Sequence, residues 1–165
     1  MAQRYVKVCL AVAVGLLAAF WCINNLINWK TAVGAVAYAL SQQNHSGYSV
    51  HIIPPIENPF AAILGLIAIC AAEATAGFLS LLGAGRMWRH RAADEVVFAS
   101  AKQSAIGGAG VAVLTWFLGF QVIGGAGIMM GQAEGMEGAM RGAFTFGSYS
   151  FLTLIYLSLP DPKTA

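Results

Sequence analysis

Glu73 is the single charge in Pro59–Ala84, PFAAILGLIAICAAEATAGFLSLLGA, the most apolar stretch of the chain. A carboxylate at mid-bilayer costs at least about 2.5 kcal/mol, so a group kept there is either a structural hydrogen-bonding clasp or a handler of protons or ligands. The simplest expectation is a clasp between helices, the carboxyl donating to a Thr, a Ser or a main-chain carbonyl. At about 1.5 Å rise per residue, Glu73 stands about 20 Å from Arg86. Counting inward from Lys7, Lys102 and Asp161 brings Phe20-Trp21, Thr115-Trp116 and Ser148-Tyr149 to a comparable level. A carboxyl, indoles, a phenol and hydroxyls are therefore expected to meet there. Asn24 and Asn25 approach the level of Gln121, where amides serve first as interhelical hydrogen-bonding groups.

Other chemistries find no support. Cys9, Cys22 and Cys70 lie in apolar segments without CxxC or Cys/His spacing, so they are expected to be small buried hydrophobes. Cys22 and Cys70 share a depth, which is no case for a disulfide inside a bilayer. Haem held in a bundle needs histidines on the helices, and His45, His51 and His90 all fall in connections. His45 and His51 could meet a metal outside, but a loop pair is expected to be solvated. The sequence holds no Ser/His/Asp set, no HExxH and no phosphate loop, and Gly107 to Gly110 lie in an apolar helix, where glycines serve close packing. The expectation is a non-enzyme with no cofactor and no metal.

The elements that position these residues follow from composition. The 165 residues are 58% hydrophobic and 10% charged, with mean hydropathy +0.69. Soluble domains carry about 25% charge, so this is membrane composition. A net charge of +2 is too small for nucleic-acid binding. Apolar runs long enough to span lipid predict an all-α bundle of four transmembrane helices, about 5–28, 59–84, 94–125 and 142–159, in one membrane domain, 1–165. The first run is too long for a signal peptide and lacks a cleavage site, which predicts an uncleaved anchor. Asn58-Pro59 should start the second span, and Gly83 and Gly85 before Arg86 should stop it. Val33, Val36, Ala37 and Leu40 recur at helical spacing, predicting a short interfacial helix in the first outer loop, followed by a loop at 41–49.

Small residues recur at every fourth position as Ala68, Ala72, Ala76, Ser80 and Ala84, and again as Ser104, Gly108 and Ala112, a spacing that lets helices approach closely. Four spans put both termini on one side. That side holds Arg4, Lys7, Arg86, Arg89, Arg91, Lys102 and Lys163, against Lys30 and Arg141 on the other, so both termini are expected to be cytoplasmic. Arg86, Arg89 and Arg91 should set orientation and touch anionic lipid headgroups.

The segments RYVKVCLAVAVGLLAAFWCINNL, EATAGFLSLLGAGRMW, AKQSAIGGAG and WFLGFQVIGG together resemble a bacterial family of predicted small integral membrane proteins, domain of unknown function 2165, over nearly the whole length. The resemblance implies four spans and no established activity. Members of that family often continue past the double glycine with an acidic-aromatic stretch and a Trp-Gln pair. Ala126 to Gln132 lack those aromatics, so an outer-surface role resting on them is in question here. The functional expectation is an accessory or assembly subunit, packed with other integral subunits and membrane lipids against a larger, energy-converting complex of the bacterial inner membrane. The alternative is a small transporter or a quinone- or lipid-binding protein using Glu73.

Overall fold

The computed structural model describes residues 1–43, 45 and 50–161. Helix makes up 82% of it, and among the described residues the only bridge between extended segments is His45 with Ala133. In chain order the helices are α1 (Ala2–Ile27), α2 (Trp29–Ser41), α3 (Pro59–Arg89), α4 (Glu95–Gly127) and α5 (Glu137–Ser158). Three of them, α1, α3 and α4, are long and apolar enough to cross a membrane. The 22-residue α5 is long enough but, with its hydroxyl residues, not apolar enough to be counted with them.

Local signals set several of these boundaries. The Asn58 side chain accepts from the Phe60 amide at 2.9 Å with Pro59 at the first helical position, and Asp94 accepts from the Val97 amide at 2.8 Å. Each satisfies a donor that a helix start leaves free. Other boundaries differ from the sequence reading. α3 continues through Gly83 and Gly85 to Arg89, because Gly83 serves a helix crossing rather than a stop. α5 begins at Glu137, taking up a Gly- and Met-rich stretch that the sequence left outside the last span. From Leu114 to Gly127, α4 widens into π-type turns, with the Ile128 amide bonding the Ile123 carbonyl at 3.0 Å. α2 folds back on the bundle: Val33 and Val36 pack around Leu66 of α3, and Leu40 packs beside Ile128 and Met130. Of the predicted loop at 41–49, residues 44 and 46–49 lie outside the described residues.

The core is built of small side chains and the exterior of large ones. Ala11, Ala18, Ala76, Ala84, Ala105, Ala109 and Ala112 are buried, whereas Phe20, Leu64, Phe78, Leu114, Phe117 and Leu152 face outward. That is the reverse of a water-soluble bundle and fits a lipid surround, where small residues allow close approach and burial of large apolar groups brings no gain. Of the crossings made at glycines, that of α3 and α4 is the tightest. A Cβ on Gly83 would come within 2.7 Å of the Ala105 Cα, and one on Gly108 within 2.9 Å of the Ala76 carbonyl oxygen.

The stripe of small residues on α3 needs one correction. Ala76, Ser80 and Ala84 are buried, but Ala72 is half-buried and Ala68 faces outward. Four residues turn a helix by about 40° more than a full circle, so a strict four-residue spacing drifts off its face. The inner face of α3 runs instead through Ala62, Leu66, Cys70, Glu73, Ala76, Ser80, Gly83 and Met87. On α4, Gly108 and Ala112 are buried, while Ser104 is half-buried and accepts from Arg86 Nη1 at 2.8 Å.

Candidate functional site

The cluster around Glu73 is assembled by α1 and α3. Glu73 is 2% exposed, and Cys22 and Cys70 are each 8% exposed. Cys70 precedes Glu73 by three residues, close to one helical turn, so both side chains leave α3 on the same face. Cys22 and Asn25 stand in the same relation on the facing side of α1. Asn25 Nδ2 donates to Glu73 Oε2 at 3.0 Å, and Cys22 Sγ donates to the Cys70 carbonyl at 3.4 Å. The two sulfurs and a Glu73 oxygen lie within 4.8 Å of one another. Among the described residues, no other set of three or more His, Cys, Asp and Glu side chains converges in this way. Trp29, Val33 and Val36 of α2 pack beside Leu66 and the two cysteines, leaving an apolar wall around them.

This differs from the expected clasp. Glu73 accepts from an amide instead of donating to a hydroxyl or a carbonyl, because Asn25 on α1 reaches its level. Asn25 is therefore not paired with Gln121, whose Nε2 donates to the Met140 carbonyl at 2.8 Å. Asn24, one residue round the helix from Asn25, is exposed. Thr115 and Trp116 are buried, but the Thr115 hydroxyl bonds its own helix at the Val111 carbonyl, 2.8 Å away. Trp116 meets Phe146 edge-on at 5.7 Å, and Phe146 meets Trp21 at 5.5 Å. Tyr149 is 61% exposed and joins no interior group, because the inner face of α5 runs through Gly147, Ser150 and Thr153. The predicted meeting of carboxyl, indole, phenol and hydroxyl thus separates into an aromatic contact and a sulfur-carboxyl cluster.

A second buried polar centre lies at the end of the bundle where α1 begins and α5 ends. Asp161 Oδ1 receives Lys7 Nζ at 3.0 Å and Oδ2 receives Lys102 Nζ at 2.6 Å. Both ammonium groups also donate to the Leu159 carbonyl, at 2.6 and 3.0 Å. Burial alone would push the Asp161 carboxyl up, but hydrogen bonds from Lys102 and Lys7 outweigh it and hold the group below the usual Asp range. Arg4 lies over the Phe98 ring at 4.5 Å and donates to the carbonyls of Arg91 and Ala93 at 2.9 and 2.5 Å. Arg4 and Lys7 are the largest fully buried side chains among the described residues. From sequence, Arg4, Lys7 and Lys102 read only as orientation charges. Nothing local marks them as interior, since their partners lie at least 57 residues away in sequence.

Of the other described cations, Lys30, Arg86, Arg89 and Arg141 are exposed, and the half-buried Arg91 stacks over Trp88 at 4.5 Å. The two loop histidines are not simply solvated. Their rings meet at 5.0 Å, and the nitrogens His45 Nδ1, His45 Nε2 and His51 Nε2 are buried without a hydrogen-bond partner among the described residues. Burial, and then the neighbouring His51, hold His45 below the ordinary imidazole value.

Long apolar helices around an alanine core, with large apolar side chains turned outward, define an integral, multi-pass membrane protein. The chain belongs to the predicted small integral membrane protein family, domain of unknown function 2165, whose pattern matches residues 3–160. No curated protein and no solved structure matches it.

Proposed function

We propose that this chain is a non-catalytic accessory or assembly subunit. In this reading it crosses the bacterial inner membrane four times with cytoplasmic termini and an interfacial α2, among membrane lipids and the integral subunits of a larger energy-converting complex. The observation that carries the reading is the outward face of α3. There Ala68, Ala71, Ala74 and Thr75 present small side chains at helical spacing along an exposed surface. In lipid, small residues at a surface admit a neighbouring helix to close packing distance, and packing drives association there. The basic residues Arg86 and Arg89 beyond the end of this face support the orientation, since they are exposed where anionic headgroups would meet them. Photo-crosslinking from position 71 in native membranes tests the reading. The expected product is a discrete adduct with another integral subunit that co-purifies in mild detergent. A chain that runs alone, with adducts only to lipid, contradicts it.

The burial of Glu73 beside an amide and two thiols favours a second reading, a small transporter or a quinone- or lipid-binding protein. The two separate cleanly. Loss of a transport or binding activity in Glu73→Gln at unchanged abundance supports the second, and loss of abundance alone supports a purely structural Glu73.

A further inference from the structure

We propose that Cys22, Cys70 and Glu73 form an intramembrane binding site for a divalent cation of the zinc class. Three ligand-bearing side chains from two helices, each at least nine-tenths buried, converge at one point, and no ion pair with any Lys or Arg is formed by Glu73 among the described residues.

The donor set selects the ion. Zinc bonds thiolate sulfur at about 2.3 Å and carboxylate oxygen at about 2.0–2.2 Å, so ligand atoms around a tetrahedral ion stand roughly 3.5–3.8 Å apart. The two sulfurs and the carboxylate oxygen already lie within 4.8 Å of one another, so small side-chain rotations close the set. Mixed sulfur and oxygen donors suit zinc, whereas a soft monovalent ion such as Cu(I) is satisfied by sulfur and has no use for the carboxylate. A divalent ion bound by two thiolates and a carboxylate displaces the protons these groups carry and answers two of their three negative charges, which leaves the site far closer to neutral than the ionised groups alone. The amide of Asn25, donating to Glu73 at 3.0 Å, is the outer partner that fixes a ligating carboxylate in place. Trp29, Val33 and Val36 close the site with an apolar wall. Three protein ligands leave one coordination position for a small exogenous group.

The site does not depend on the accessory-subunit reading, because it is complete within one chain. The test is made on the full chain, purified in mild detergent with reductant and without chelator. Zinc alone is titrated and read by elemental analysis after desalting, and Co(II) alone is used as the spectroscopic probe. The proposal predicts about one equivalent of zinc per chain. It also predicts a sulfur-to-cobalt charge-transfer band that disappears in Cys22→Ser and in Cys70→Ser and persists in Cys9→Ser. Glu73→Gln should keep the band but release zinc more readily. A wild-type chain that is helical and monodisperse but retains no zinc overturns the proposal, whatever the variants do. So does zinc retention that survives the Cys22→Ser, Cys70→Ser double substitution and is lost in His51→Ala, or a Cys22–Cys70 disulfide in protein taken directly from membranes.

Discussion

At the end of the bundle where α1 begins, Asp161 is met by two ammonium groups and brings α1, α4 and the residues after α5 to one point. Toward the other end of α1, Glu73 is met by one amide and two thiols. Both carboxyls are buried, yet their surroundings differ in kind. Asp161 has more opposite charge than it needs, and each of its oxygens holds a cation from a different helix. Removing it leaves two buried cations unanswered. Among the described residues Glu73 has no countercharge, and a neutral group of the same shape could take its place beside Asn25. The contrast assigns the first centre to holding the fold and leaves the second free for a ligand.

The largest effect should come from breaking the first centre. Asp161→Ala strands Lys7 and Lys102, both buried, and should destabilise the protein by about 3–5 kcal/mol. Thermal unfolding in mild detergent would register it, with Asp161→Glu recovering part of the loss. The same centre has a defined pH response. Because the folded protein holds the Asp161 carboxyl below its ordinary value, the contribution is complete above about pH 4, the unfolded Asp value. It is lost as pH falls through the lower folded-state value, so acid unfolding of the wild type should be steeper than that of Asp161→Asn.

A middle-sized effect should follow from the helix crossing that lies between the two centres. In Gly83→Val the added atoms meet the Ala105 main chain, which cannot swing away. Overpacking of this kind costs about 1–3 kcal/mol. The loss should appear in unfolding midpoints together with weaker protection of α4 amides from hydrogen exchange. Smaller still is Gln121→Ala, which removes a bond to the Met140 carbonyl and should cost about 1 kcal/mol in the same assay.

The parts of this architecture that could be read from sequence are those written locally. The apolar runs, the Asn58-Pro59 start and the Asp94 start are confined to a few adjacent residues, and each appears in the structure as a helix or a cap. Contacts between helices are not local. Cys22 and Cys70 share a depth by residue counting, but only the rotation of α1 against α3 turns them toward each other and toward Glu73. The facing of α5, whose inner side runs through Gly147, Ser150 and Thr153, likewise leaves Tyr149 at the surface, and the turn of about 100° per residue puts Asn24 outside while Asn25 faces Glu73. The Asp161 centre was hidden for another reason. Lys7 and Lys102 carry the same charge as the exposed arginines and lie near helix ends, where a cation is ordinarily an orientation signal. Asp161, between two prolines after the last helix, gave no sign that it would turn inward.

The central claim is that one buried carboxyl secures the fold and the other does not. Its most direct test is the unfolding free energy of Glu73→Gln in mild detergent, measured beside the wild type. Glutamine keeps the shape and can still accept from Asn25, so the account predicts a difference within about 1 kcal/mol of zero. A loss as large as that expected for Asp161→Ala would contradict it, placing Glu73 among the groups that hold the helices together.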